Sequence, residues 1–313
     1  MRPVELGIVL AWTAVAAVAG SAQVSVGGSW NRGAAMPTER GEVGAAVLDG
    51  KIYVEGAYTG ESAANEAYDP PGDSWQTLAP IPQPRNHVCA AALGGTLYVV
   101  GGFDPTSANR PVDTTFAYDP LSDRWTTRAP MPTPRGALAC VVLGDLIYAV
   151  GGASPAGDSA VNEAYDPATD AWRLDLAPMH TESQHLAAAE LAGLLHVFGG
   201  RSATLGMTGS IHEVYDPIAN VWTSAHPLPT GRSGIGAATL GGRIHVLGGE
   251  AAHTFDQNEA YDPLTDSWLT FAPLPTPRHG LGVVAVEDAI YVIGGGPQPG
   301  DFRSNTVEIF RLI

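Results

Sequence analysis

The sequence predicts an all-β protein in which six small sheets close into a ring, and three observations carry that prediction. Tryptophans recur at Trp30, Trp75, Trp125, Trp172, Trp222 and Trp268, at spacings of 45, 50, 47, 50 and 46 residues. Between them the same punctuation returns: Pro-Arg or Gly-Arg, an apolar run, a glycine, an Ile/Leu-Tyr/His-Val run closed by Gly-Gly, then Glu-Ala-Tyr-Asp-Pro. With 38 glycines and 25 prolines in 313 residues, the composition suits short strands joined by turns. A fixed period of this size with strand-like segments is the signature of a closed array of small sheets.

The chain opens on an export-like segment. Arg2 precedes an apolar run from Leu6 to Val18, and Gly20-Ser21-Ala22 places small residues at a cleavage position. Residues 1–22 are therefore expected to be a signal peptide and residues 23–313 the folded domain, which places the protein in a secreted or periplasmic location. The run is too short to span a bilayer and no later stretch approaches that length, so no membrane span is expected. The net charge of −16 disfavours phosphate backbones and argues against a nucleic-acid partner.

The unit from Thr133 to Trp172 shows how each repeat becomes a four-stranded sheet. Pro134-Arg135 starts it, and the apolar run from Ala137 to Leu143 reads as a buried inner strand, a. Gly144-Asp145 is a tight turn, and Leu146 to Val150 is rich in β-branched and aromatic residues, giving strand b. Gly151-Gly152 ends it where the backbone needs positive φ or has no room for a side chain. Asn162 to Asp166 forms strand c, which Pro167 terminates by lacking a donor, and Trp172 lies on strand d. So small a sheet cannot bury both faces alone, so each must stack on its neighbours, and tryptophans repeated in every unit belong to that packing.

In combination these motifs resemble the kelch-repeat β-propellers over essentially residues 28 to 313. The resemblance rests on Gly101-Gly102, Gly151-Gly152, Gly199-Gly200, Gly248-Gly249 and Gly294-Gly295, on Tyr-Asp-Pro at Tyr68, Tyr118, Tyr165, Tyr215 and Tyr261, and on the six tryptophans. The first unit departs with Glu55-Gly56 at the paired glycines. The last ends Glu308-Ile309-Phe310 with no tryptophan after it, and Gly28-Ser29-Trp30 reads as the missing strand d supplied from the other end. The expected fold is a six-bladed kelch β-propeller, four antiparallel strands per blade, whose last blade is closed by the N-terminal strand.

Antiparallel order puts the long, variable b–c and d–a loops on one face, where binding is expected; kelch domains similarly use that face around the central channel. Arg40, Arg85, Arg135, Arg232 and Arg278 begin strand a there, and as a rim of guanidinium groups they are the candidate ligand-binding residues for an anionic peptide, protein or glycan. The competing structural expectation pairs them with Glu66, Glu163, Glu213, Glu259 or Glu308 of strand c. Two residues beyond the arginine position stand Glu42, His87, Ala137, His185, Gly234 and Gly280, unit four having Glu182-Ser183-Gln184-His185 in place of Pro-Arg. Glu42, His87 and His185 are therefore the candidates for acid/base chemistry. Coming from blades one, two and four, they are expected to lie apart, so no metal and no cofactor is assigned. Cys89 and Cys140 occupy neighbouring repeats, and buried thiols packed as small apolar residues are expected over a disulfide, although export permits one.

The leading expectation is a monomeric binding propeller rather than an enzyme. The alternative is a mutarotase or epimerase of a sialic-acid-like acidic sugar, because exported kelch proteins of this size resemble sialic-acid mutarotases. Fold alone does not choose between them.

Overall fold

The computed structural model describes residues 27–58 and 60–313; the expected signal peptide lies outside them. Six four-stranded antiparallel sheets form the blades, with two small two-stranded hairpins in the b–c loops of blades 2 and 3. Blade 3 is representative: strand a is Ala139–Leu143, b is Leu146–Val150, c is Asn162–Asp166 and d is Ala171–Arg173. The inner strands of the other blades, Gly44–Leu48, Cys89–Leu93, Ala187–Leu191, Gly236–Leu240 and Gly282–Val286, line the central channel with it. In blade 6 the outermost strand is Ser29–Arg32, paired antiparallel to Val307–Arg311 with Trp30 opposite Phe310.

The cores lie between blades, as a repeat that cannot bury its own faces requires. Val141, Tyr148 and Val150 of blade 3 pack with Leu195, Val197, Tyr215 and Trp222 of blade 4, each side chain contributing roughly 1.5–3 kcal/mol on burial. The tryptophans add a directional latch. Each indole Nε1 donates to a carbonyl just past strand d of the preceding blade: Trp75 to Ala34, Trp125 to Ala79, Trp172 to Ala129, Trp222 to Ala177, Trp268 to His226 and Trp30 to Ala272, at 2.8–3.0 Å. Trp222 and Trp268 are buried, whereas Trp30, Trp75, Trp125 and Trp172 keep one edge in water. The Tyr of each Tyr-Asp-Pro pins the c–d turn by donating to Asp73, Asp123, Asp170, Asn220 or Asp266.

Two expectations are corrected. Cys89 and Cys140 are joined in a disulfide, with Cα atoms 5.6 Å apart; neighbouring inner strands converge toward the channel, close enough to bridge. In blade 1 the paired-glycine position is occupied by Gly56-Ala57, because the Gly56 and Ala57 amides bond the carbonyls of Ala64 and Arg85 as Gly101 and Gly102 bond those of Thr114 and Arg135. Glu55 therefore stands where the other blades place Val100, Val150, Phe198, Leu247 and Ile293, all in register opposite the first residue of strand a. It is a fully buried carboxyl with no hydrogen-bond partner on either oxygen.

Candidate functional site

The arginine rim is not a rim. Arg40, Arg135, Arg232 and Arg278 are completely buried and Arg85 nearly so. Arg40 pairs with Glu66 at 2.7 Å, Arg135 with Glu163 at 2.8 Å, Arg232 with Glu259 at 2.6 Å, and Arg278 with Glu308. The remaining guanidinium protons satisfy carbonyls at the end of strand b, such as Val246 and Gly248 for Arg232. A threonine two residues before each arginine (Thr38, Thr133, Thr230, Thr276) caps the glutamate's other oxygen. A buried charge must be paired and hydrogen-bonded, and these four turn their donors inside the blade, with the Arg40 Nε–H left without a partner. Arg85 lacks a strand-c glutamate and turns to Gln83 and the Pro84 carbonyl. Glu213 lacks an arginine and accepts from the His180 amide.

The level two residues further on is where side chains converge. Its six residues form a closed ring of backbone hydrogen bonds around the channel: the amides of Glu42, His87, Ala137, His185, Gly234 and Gly280 each donate to the equivalent carbonyl of the preceding blade, at 2.7–3.0 Å. All six take left-handed φ between 50° and 65°. Glycine accepts that conformation freely, but at Glu42, His87 and His185 it carries a cost of order 1–3 kcal/mol each, the kind of strain retained at functional sites. The expectation that three blades would hold these side chains apart is thus overturned. The annulus is so narrow that Glu42, His87 and His185 bring one ligand-capable atom each to within 4.8 Å of one another. Gly280 makes the room, since a Cβ there would lie 2.5 Å from the Glu42 carboxyl carbon.

Three further residues that the repeat alignment passed over complete the cluster. His279 follows Arg278 directly, while Arg201 and Glu250 each follow a paired glycine, on the bridges that extend Gln184 against Arg201 and Ser233 against Glu250. Aligning the units on the residue after Gly-Gly, which gives Phe103, Ala153, Arg201, Glu250 and Gly296, would have exposed these two charges at otherwise neutral positions. His87 Nε2 lies 3.2 Å from Glu42 Oε2. His279 Nδ1 lies 3.0 Å from Glu42 Oε1 and 3.5 Å from Glu250 Oε2, and its Nε2 donates to the Gln298 carbonyl. Arg201 bonds Glu250 at 2.8 Å and His185 Nε2 at 3.0 Å. Above the annulus a cleft of about 250 Å³ opens to solvent, with Tyr58 and Phe103 as aromatic walls beside His87.

The protonation pattern follows from burial and neighbours. Burial would push the Glu42 carboxyl up, but the imidazoles of His87, His279 and His185 outweigh it and hold it far below the carboxylate range. Burial lowers His87, and it lowers His185 strongly, with His87 adding to the effect. His279 moves the other way: burial opposes its charge, yet the hydrogen bond and charge of Glu42, with Glu250 behind, raise it. The carboxylate thus favours the charged form of His279, while burial favours the neutral forms of His87 and His185.

A six-bladed propeller with an ionisable cluster set in its channel mouth is thus the class of protein that fold and site define. The kelch motif matches residues 84–132, 134–174 and 231–275, and the chain is a kelch-repeat β-propeller. Human Kelch-like protein 23 is 34% identical over 74 residues, covering 24% of this chain and 13% of that protein. Kelch-like ECH-associated protein 1A of Danio rerio is 38% identical over 76 residues, covering 23% and 12%. An F-box/kelch-repeat protein of Arabidopsis thaliana is 34% identical over 65 residues, covering 21% and 17%. The chain thus spans less than a fifth of the length of these relatives. The solved structure of YjhT superposes with a TM-score of 0.77 at 16% identity, over 88% of this chain and 96% of that one, which is a likeness of fold.

Proposed function

We propose that this protein is a binding propeller that recognises its ligand at the channel mouth, on the face of the b–c and d–a loops. One observation carries the reading: three of six positions on the hydrogen-bonded annulus exchange a small residue for Glu42, His87 or His185 in a left-handed conformation. Packing does not call for such residues there, because Ala137, Gly234 and Gly280 close the same ring without them. The cleft of about 250 Å³ suits one polar residue, a sugar ring or a peptide side chain, gripped by carboxylates and imidazoles between Tyr58 and Phe103. With the five candidate arginines buried, Arg201 is the guanidinium left in the mouth to take a ligand carboxylate, so an anionic peptide or glycan is the class we favour. Among the described residues no helix is long and apolar enough to cross a membrane. The export-like segment together with the Cys89–Cys140 disulfide supports a secreted or periplasmic location.

A second reading is favoured by a separate observation. Glu42 and His87 stand within reach of a shared proton at the floor of the mouth, the arrangement that acid/base opening of a sugar ring requires. An acidic sugar held on Arg201 would then make the protein a mutarotase or epimerase. A glycan and peptide array on the purified protein, with sialic-acid anomer exchange followed by NMR, tests both readings. Binding lost in Arg201→Ala with no exchange supports recognition, and exchange lost in Glu42→Gln supports catalysis. Neither binding nor exchange on any array member rejects both.

A further inference from the structure

We propose that Glu42, His87 and His185 bind one divalent first-row transition-metal ion at the floor of the channel mouth. The inference goes beyond the ligand reading and does not depend on it. Two imidazoles and one carboxylate are a donor set that zinc and ferrous iron both accept, and here they come together at the one level where three blades meet.

The hydrogen bonds behind the ligands aim their lone pairs inward. Asp158 accepts from Gln184 Nε2 at 2.6 Å, and a carboxylate cannot donate, so Gln184 turns its Oε1 toward His185 Nδ1 at 2.9 Å. That ring nitrogen must carry the proton, and Nε2 presents its lone pair to the site. In blade 2 Asn86 bonds Asn109 Oδ1 through Nδ2 at 2.9 Å and meets His87 Nδ1 through Oδ1 at 2.6 Å, and with both amides in this orientation the His87 proton sits on Nδ1 and Nε2 faces the site. In that tautomer His87 Nε2 and Glu42 Oε2 face each other at 3.2 Å as two acceptors, a contact that a bound metal ion would bridge. An ion bonded to each at about 2.1 Å would subtend about 100°, close to a tetrahedral or octahedral angle. The other Glu42 oxygen is held by His279, an outer partner of the kind that orients metal-binding carboxylates. Arg201 occupies the lone pair of His185 in the structure, and on metal binding it withdraws to Glu250, with which it already pairs.

A proton on His87 would satisfy the same contact, and experiment separates the two cations. The full chain, stripped of metal with chelator, is titrated with zinc by calorimetry and with cobalt(II) by visible absorption. The expected result is one ion per chain, with cobalt ligand-field bands. Glu42→Gln, His87→Ala and His185→Ala should each weaken binding by more than the ~10- to 100-fold typical of outer-partner losses, and Gln184→Ala should fall within that range. Arg201→Ala keeps every ligand and removes a competing cation, so it should bind zinc more tightly, and this remains readable if a ligand variant misfolds. No zinc binding at micromolar concentration, binding unchanged in the ligand variants, or weaker binding in Arg201→Ala would each overturn the proposal.

Discussion

Blades 1, 3, 5 and 6 carry a complete arginine–glutamate unit, whereas blades 2 and 4 each keep one half of it. In blade 2 Phe116 replaces the glutamate in the register that places Glu163 opposite Ala149, so Arg85 turns to Gln83 and the Pro84 carbonyl, with the part-exposed Asp104 4.0 Å away as its nearest carboxylate. In blade 4 Ser183 replaces the arginine and donates to the Gly199 carbonyl, leaving Glu213 on a single backbone amide. These same two blades supply His87 and His185 to the annulus. The unit that every regular blade shares is a strut, and it has been relaxed where the mouth acquired its imidazoles. A repeat fold tolerates this because each blade depends chiefly on its nearest neighbours.

The sharpest way to break that comparison is to remove one arginine from each kind of blade. Arg278→Ala strands the fully buried Glu308 and should cost about 3–5 kcal/mol in denaturant unfolding. Arg85→Ala strands no buried carboxylate, since its partner Asp104 is 4.0 Å away and reaches solvent, and it should cost less than half as much. The double variant Arg278→Met with Glu308→Leu should recover most of the loss, because an apolar pair of similar volume replaces a desolvated ion pair. Equal costs for Arg85→Ala and Arg278→Ala would mean that the glutamate is not what makes the strut.

A second expectation concerns blade 1, whose strut is complete but whose neighbouring core position holds Glu55. Burial, only partly offset by Arg40, raises this carboxyl from 4.5 to about 8. A group whose folded pKa is raised binds its proton more tightly in the native state, so the stability it supports is present at low pH and is lost as pH rises from about 4.5 toward about 8, by up to ~1.4 kcal/mol per unit. Buried His196, His212 and His245 work in the opposite sense. Burial depresses them to about 3, 4 and 4, so their contribution is present above about 6.5 and lost as pH falls below it. Stability should therefore peak between about pH 6 and 7. Glu55→Val should raise it at pH 7 by on the order of 3 kcal/mol, with the gain vanishing near pH 4. A gain that does not change with pH would assign the effect to packing rather than to the proton.

The blade pattern, the number of blades and the role of the tryptophans were legible because inter-blade packing demands the same residues in every unit. Two things were not. The one-residue shift at Glu55 was hidden because Glu-Gly mimics a degenerate Gly-Gly, and only the amide bonds of Gly56 and Ala57 reveal the true register. The convergence of Glu42, His87 and His185 was missed because sequence distance suggested spatial distance, whereas the inner ring of a propeller is the one place where distant blades touch. The arginines were legible as a repeat, and that regularity favoured the structural role they have over a share in the mouth.

The smallest expected effect closes the comparison from the side of blade 4. Glu213 is buried to 3% exposure, has no arginine from its own blade and accepts the His180 amide at 2.8 Å. Glu213→Gln keeps an acceptor of the same shape for that amide and removes a carboxylate from a desolvated position, so the gain from discharging it and the loss of a charge-assisted bond nearly cancel. The net change should stay within about 1 kcal/mol. Glu259→Gln makes the same chemical change where Arg232 depends on the charge, and it should cost several times more, because the guanidinium is left buried without its counter-ion. Chemical denaturation of the two variants side by side isolates the counter-ion from the glutamate itself. If Glu213→Gln proved as damaging as Glu259→Gln, blade 4 would be drawing on a cation that its missing arginine should have supplied, and the division between whole and half struts would fail.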